Sequence, residues 1–138
     1  MNTSPSDTKK SFKLNFDHIA LLVKDVDQSV EFYQRVFDLK EIKNLTVKQG
    51  IRWLALDDGG EIHLISLYDQ EIKLHKSIHF CMATPNFDNF IKNLEELDIP
   101  YTDWPGNVNQ INFRADGIKQ IYIQDPDGYW LEVNNVGE

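Results

Sequence analysis

Cysteine is almost missing from this chain: Cys81 stands alone among 138 residues, so no internal disulfide can form and a reducing compartment is expected. Long apolar runs are missing too. No stretch approaches the ~18 apolar residues of a membrane helix, and the opening MNTSPSDTKKS has no apolar signal-peptide core, so a soluble, cytoplasmic protein without a membrane partner is expected. Basic clusters stop at Lys9 and Lys10, and 14 Lys and Arg against 22 Asp and Glu give a net charge of −8, which disfavours nucleic acid as a partner. Histidine is scarce as well, and its placement is the informative feature. Three of the four histidines, His18, His63 and His79, sit in the middle of apolar, strand-like runs: FDHIALLV, GGEIHLISL and SIHFCMA.

The 41% hydrophobic and 26% charged content is that of a globular protein, and the length supports one core rather than two. Residues 1–12 are polar and aperiodic and are expected to form a disordered tail, leaving a single domain over 13–138. Within it the same order of elements occurs twice. The first module, about 14–70, reads as a strand ending at Val23 and a helix N-capped by Asp27, with Val26, Val30, Tyr33 and Phe37 on one stripe. Strands follow at Glu41 to Val47, Ile51 to Leu56 and Glu61 to Tyr68. The second module, about 76–136, starts with a strand at Ile78 to Ala83. Its helix carries Pro85 at the first position, with Phe87, Phe90, Ile91, Leu94 and Leu97 at helical spacing. A short strand near Tyr101 and strands at Ile111 to Arg114, Gln120 to Gln124 and Tyr129 to Asn135 complete it. The turn Asp57-Asp58-Gly59-Gly60 corresponds to Asp125-Pro126-Asp127-Gly128. In the first part of each module His18 matches His79, and in the last strand His63 matches Glu132, so two half-repeats share one fold.

Alternation along the strands gives the four residues a direction. His18, His63, His79 and Glu132 each share a face with residues of mixed polarity. The opposite faces, Ile19, Leu21 and Val23; Ile62 and Leu64; Ile78, Phe80 and Met82; Leu131 and Val133, are uniformly apolar and suit packing against helices. The mixed face therefore lines a concave cavity. The same parity places Phe16, Trp53, Tyr122 and Trp130 on its walls, with the amides of Gln120, Gln124 and Asn134 available to orient a substrate.

One histidine on a strand is more often a satisfied core residue than a ligand, but three histidines and a glutamate at repeat-related positions point to a metal. Imidazole with carboxylate suits Zn, Ni, Fe, Co or Mn. Four ligands can close a tetrahedral structural site, or can leave two positions of an octahedron open, and the cavity favours the latter. An open metal stabilises charge beside an abstracted proton, which is isomerase or lyase chemistry. If His63 only hydrogen-bonds a ligand, two histidines and a carboxylate remain, the triad of Fe(II) ring-cleaving dioxygenases. His75, without a counterpart in the repeat, reads as a solvated loop residue, and Cys81 as a small packing residue.

The segments DHIALLVKDVDQSVEFYQRVFDLK and DPDGYWLEV resemble the opening and closing elements of the vicinal oxygen chelate superfamily, which includes glyoxalase I, extradiol dioxygenases and bleomycin-resistance proteins. The resemblance spans about residues 14–136. It implies an α+β fold of two paired βαβββ modules whose curved mixed sheet surrounds a metal-binding cavity, with helices on the outer face. It also implies His18, His63, His79 and Glu132 as ligands, and a homodimer. The chain departs from glyoxalase I in carrying His63 where that enzyme usually has glutamate, which leaves Glu132 as the carboxylate base beside His63. Leu22 and Leu67 occupy the places of residues that contact glutathione. The expectation is a lactoylglutathione lyase-like lyase or isomerase acting on a small oxygen-chelating carbonyl compound. The alternatives are an Fe(II) extradiol-type dioxygenase and a metal-independent drug-binding protein.

Overall fold

The computed structural model describes residues 11–66 and 71–138, so most of the expected tail, and Leu67 with it, lie outside the described residues. The chain order is β1 (His18–Val23), α1 (Val26–Phe37), β2 (Lys40–Ile42), β3 (Ile51–Ala55), β4 (Glu61–Ser66), β5 (His79–Ala83), α2 (Phe87–Glu96), β6 (Asn112–Phe113), β7 (Lys119–Gln124) and β8 (Trp130–Asn134). Each module folds into its own four-stranded mixed sheet, β1-β4-β3-β2 and β5-β8-β7-β6. In both, the first strand runs parallel to the last and the remaining pairs are antiparallel. The fold is thus α+β, as expected. Among the described residues the two sheets are not hydrogen-bonded to each other, so the curved sheet consists of two halves with free edges at β1 and β5.

The repeat extends to the backbone. Gly59 and Gly128, matched by the sequence offset, turn their hairpins at φ of 93° and 92°, a region that favours glycine, and Asp38 and Asp98 both follow their helices in the left-handed conformation. The apolar faces lie inside, as alternation predicts, except at Ile78, which precedes β5 and is 74% exposed. Leu21, Val23, Leu54, Ile62 and Leu64 of the first sheet join Ile121, Ile123, Leu131 and Val133 of the second and the buried stripes of both helices in one cluster. Burying each large side chain there contributes about 1.5–3 kcal/mol.

Boundaries shift where a side chain competes for the backbone. Asp25, extended at φ −131° and ψ 102°, caps α1 by accepting from Gln28 N at 3.0 Å. The expected cap, Asp27, lies inside the first turn and pairs with Arg52 at 2.7 Å. Pro85 precedes α2 rather than opening it, because Thr84 Oγ1 accepts from Asn86 N at 3.1 Å and holds the chain in a turn before the helix begins. The strand expected through Val47 ends at Ile42. Asn44 then folds the chain back, donating to the carbonyls of Lys48 and Ile51 and accepting from Thr46 N. Near Tyr101 only the bridges of Thr102 to Val108 and Tyr122 form.

The modules are fastened on one side by the second hairpin turn. Asp127 accepts from Lys24 N at 3.0 Å and from the Ser29 hydroxyl at 3.3 Å, Asp125 accepts from the buried Tyr33 hydroxyl at 2.7 Å, and the Tyr129 hydroxyl donates to Leu22 O. Among the described residues the first turn makes no such hydrogen bond to α2, whose Phe87 N is met instead by Glu138 Oε2. A cavity of about 640 Å³ opens on that side, between Asp57 and Asp58 and the Thr84-Pro85-Asn86 turn. Burial pushes the Asp125 carboxyl above its ordinary pKa and the Tyr33 bond pulls it back down. A raised folded pKa means that ionising Asp125 costs stability as pH rises through the carboxylate range. Tyr33→Phe should therefore lower the stability at neutral pH by about 1–3 kcal/mol in urea unfolding and extend the fall with rising pH to higher pH. A loss below about 0.5 kcal/mol would contradict the fastening role.

Candidate metal centre

Two half-sites are built, one on each sheet. In the first, parallel register sets His18 of β1 beside Glu61 of β4, and His63, two residues along on the same face, lies opposite Trp53 of β3. The buried His63 ring is sandwiched between His18 and Trp53, with centroids 4.0 and 3.9 Å away. Its Nε2 lies 2.9 Å from Glu61 Oε1 and donates to that carboxylate. His18 Nδ1 donates to Asp17 Oδ2 at 2.6 Å, which leaves the lone pair on Nε2.

In the second half-site, Glu132 is buried in the middle of β8 and fully engaged. Its Oε2 accepts from Gln120 at 2.8 Å and Asn134 at 3.1 Å, and its Oε1 accepts from the Tyr122 hydroxyl at 3.3 Å. Burial alone would raise the pKa of this carboxyl. The donors, Gln120 and Asn134 foremost, bring it below the ordinary value, so Glu132 is an anion at neutral pH. Desolvation and that anion together push the neighbouring Cys81 thiol up to about 12, so the sulfur stays protonated and unreactive.

His79 completes this half. Its Nδ1 lies 3.0 Å from Lys76 O and its Nε2 3.1 Å from Glu132 Oε1, and both oxygens only accept. A neutral imidazole has one proton for these two acceptors. A second ring proton, or a metal cation in place of the Nε2 proton, satisfies both. Nδ1 beside an oxygen, with Nε2 available to ligate, is the arrangement of many metal-binding histidines, and both His18 and His79 place Nδ1 beside an oxygen. The donor set therefore fits a divalent cation.

One chain does not bring the four expected ligands together. Among the described residues no three His, Cys, Asp or Glu side chains converge on one point, since His18 and His63 belong to one sheet and His79 and Glu132 to the other. The expected walls divide likewise. Trp53, Tyr122 and Trp130 lie around the half-sites. Phe16 is 77% exposed and instead lines a small cavity of about 250 Å³ among apolar residues including Ile19, Ile62 and Phe80. Gln120 and Asn134 bond Glu132, whereas Gln124 donates to Gly128 O in its own turn and does not reach the site. Asp17, Glu61, Lys76 and Trp104 were missed. The alternation rule already placed Glu61 on the ligand face, but Asp17 acts from outside the strand and Lys76 and Trp104 lie in loops, where periodicity carries no signal.

Two four-stranded mixed sheets, each built from one βαβββ module, define the architecture that carries these imidazoles and the carboxylate. The chain belongs to the glyoxalase/bleomycin resistance protein/dioxygenase superfamily, whose family model matches residues 15–133. It is 27% identical to the protein YwbC of Bacillus subtilis, over 84% of this chain and 93% of that one. It is 26% identical to lactoylglutathione lyase of Pseudomonas putida, over 96% and 94% of the two chains. A glyoxalase family protein from Bacillus anthracis shares the fold with a TM-score of 0.74 at 19% identity, covering 91% of this chain and 98% of that chain. No helix of the described residues is long and apolar enough to cross a membrane.

Because Gln120 supplies the shortest bond to Glu132, Gln120→Leu should raise the Glu132 pKa, followed through its carboxyl carbon by NMR. A carboxylate with a lowered folded pKa adds stability above the ordinary carboxylate range and loses it as pH falls through the folded value. The variant should therefore lose that contribution at higher pH than the parent. An unchanged Glu132 titration would refute the assignment.

Proposed function

We propose that this chain is a divalent-metal-dependent enzyme of the glyoxalase-like group, a lyase or isomerase that abstracts a proton from a small oxygen-chelating carbonyl compound. The observation carrying this reading is the His79–Glu132 contact, an imidazole and a buried carboxylate 3.1 Å apart that suit one divalent cation. His18, His63, His79 and Glu132 would hold the ion. Once bound, it would stabilise negative charge on a substrate oxygen.

The two half-sites would be completed by a second copy of the chain. The outer edges of β1 and β5 are free, and Ile78 and Phe16 beside them are 74% and 77% exposed, a costly arrangement unless covered. Joining β1 of one protomer to β5 of its partner would unite His18 and His63 with His79 and Glu132, giving two sites per homodimer.

Glu132, expected to be both ligand and base, has both oxygens occupied by donors and is better suited to ligation. The Glu61 carboxylate, which accepts from His63 Nε2 at 2.9 Å, can take the proton from the substrate. Trp53 and Tyr122 would flank the substrate and exclude water. A second reading draws on the same pair: with Nε2 of His63 engaged by Glu61, the remaining His18, His79 and Glu132 form the two-histidine, one-carboxylate set of an Fe(II) dioxygenase. Oxygen consumption with a catechol by the iron-loaded protein separates the two.

His79→Ala should reduce bound metal sharply in protein purified without chelators, and unchanged stoichiometry would refute the site. Subunit mixing tests the shared site. Neither His18→Ala nor His79→Ala homodimers should bind metal tightly, whereas the mixed dimer should regain one intact site. Failure to regain it would place all four ligands within one chain.

A further inference from the structure

The repeat is broken between the helix and the second strand of each module. Asp38 and Leu39 alone join α1 to β2, whereas residues 97–111 join α2 to β6, and the longer connection carries Trp104 to the second half-site. Its root is paired into the sheet: Thr102 N donates to Tyr122 O and Tyr122 N to Thr102 O, both at 2.9 Å. Its outer part is shaped by one side chain. Asp103 Oδ1 accepts from Gly106 N at 3.0 Å and Asn107 N at 2.7 Å, and Oδ2 accepts from Asn107 Nδ2 at 3.0 Å. Lys76 clasps the loop from the other side, its Nζ donating to Asp103 O at 3.0 Å and Trp104 O at 2.7 Å.

The Trp104 ring held in this way lies 5.3 Å from Tyr122 and 6.1 Å from His79 by centroid, and the residue is 42% exposed. It leans over the imidazole at 56°, unlike Trp53, which lies flat on His63 at 3.9 Å and has that face covered. The polar side chains beside Glu132 are engaged elsewhere. Gln120 and Asn134 donate to Glu132 and accept from Asn112 Nδ2 and Val136 N, and the Tyr122 hydroxyl also donates to Glu132. A ligand seated at His79 and Glu132 therefore meets ring surface on this side, which favours a flat apolar group over a hydrated one.

We propose that Trp104, on the longer loop of the second module, is a specificity-determining wall that selects compounds carrying an aromatic ring next to their chelating oxygens. The chelating oxygens rest on the metal-dependent function proposed above. The preference for a ring rests on the wall alone.

Two probe pairs, each setting a phenyl against a methyl group, test this on the full chain. Benzamide and acetamide are titrated into metal-free protein, with the indole Nε1–H of Trp104 followed by NMR. Benzohydroxamate and acetohydroxamate, which chelate through two oxygens, are titrated into zinc-loaded protein by calorimetry. Benzamide should shift the Trp104 signal at concentrations where acetamide does not, and benzohydroxamate should bind about ten-fold more tightly than acetohydroxamate. Trp104→Ala should bring that ratio close to one with zinc affinity unchanged, and Trp104→Phe, which keeps a ring, should retain most of it. Should Trp104→Ala not fold, Trp104→Leu keeps the bulk without the ring and should give the same loss. A parent that prefers neither phenyl compound, or a folded Trp104→Ala or Trp104→Leu protein with the parental ratio, would overturn the proposal. A benzamide response at Trp104 in a chain that binds no zinc would keep the wall and overturn the metal reading. Zinc uptake with equal affinity for the two hydroxamates would do the reverse.

Discussion

A neutral imidazole has one proton, and His79 stands between two oxygens that only accept, Lys76 O and Glu132 Oε1. The second half-site is arranged around that shortage. Glu132 is kept anionic by two amides and a phenol in spite of its burial. A buried anion without a counter-charge is unfavourable. A proton or a metal cation on Nε2 removes that cost. On the proposed metal-dependent reading, the amides and the phenol serve to hold two ligand atoms in fixed positions.

The pseudo-repeat explains why each sheet carries only half of the expected ligand set. The apolar faces of both sheets enter one shared core, and the outer edges of β1 and β5 are unpaired among the described residues. The modules also diverge in support. Glu132 carries a dense set of donors, whereas His63 lies between two rings with a single carboxylate partner. Such asymmetry suits a division of labour, with ligation concentrated on the second module and proton holding on the first.

Much of this was legible in the sequence. Period-two alternation separated the apolar faces of β1, β4, β5 and β8 from the ligand faces because each strand is buried against helices on one side only. The offset between the modules located both hairpins down to the glycine at positive φ. What escaped was set by side chains acting on the backbone: the cap at Asp25, the Thr84 turn before α2 and the Asn44 loop that truncates β2. Phe16 and Gln124 passed the parity test but failed by position, since each stands at a strand end where the chain bends away from the face that alternation assigns it. Separation of the half-sites was beyond reach for another reason, because pairing between sheets leaves no periodic mark on either strand.

Native mass spectrometry of the full chain, purified without chelators and titrated with zinc, nickel, cobalt, manganese and ferrous iron, tests the central claim most directly. A dimer carrying two divalent ions is the predicted result. A folded protein that takes up none of these ions would contradict it.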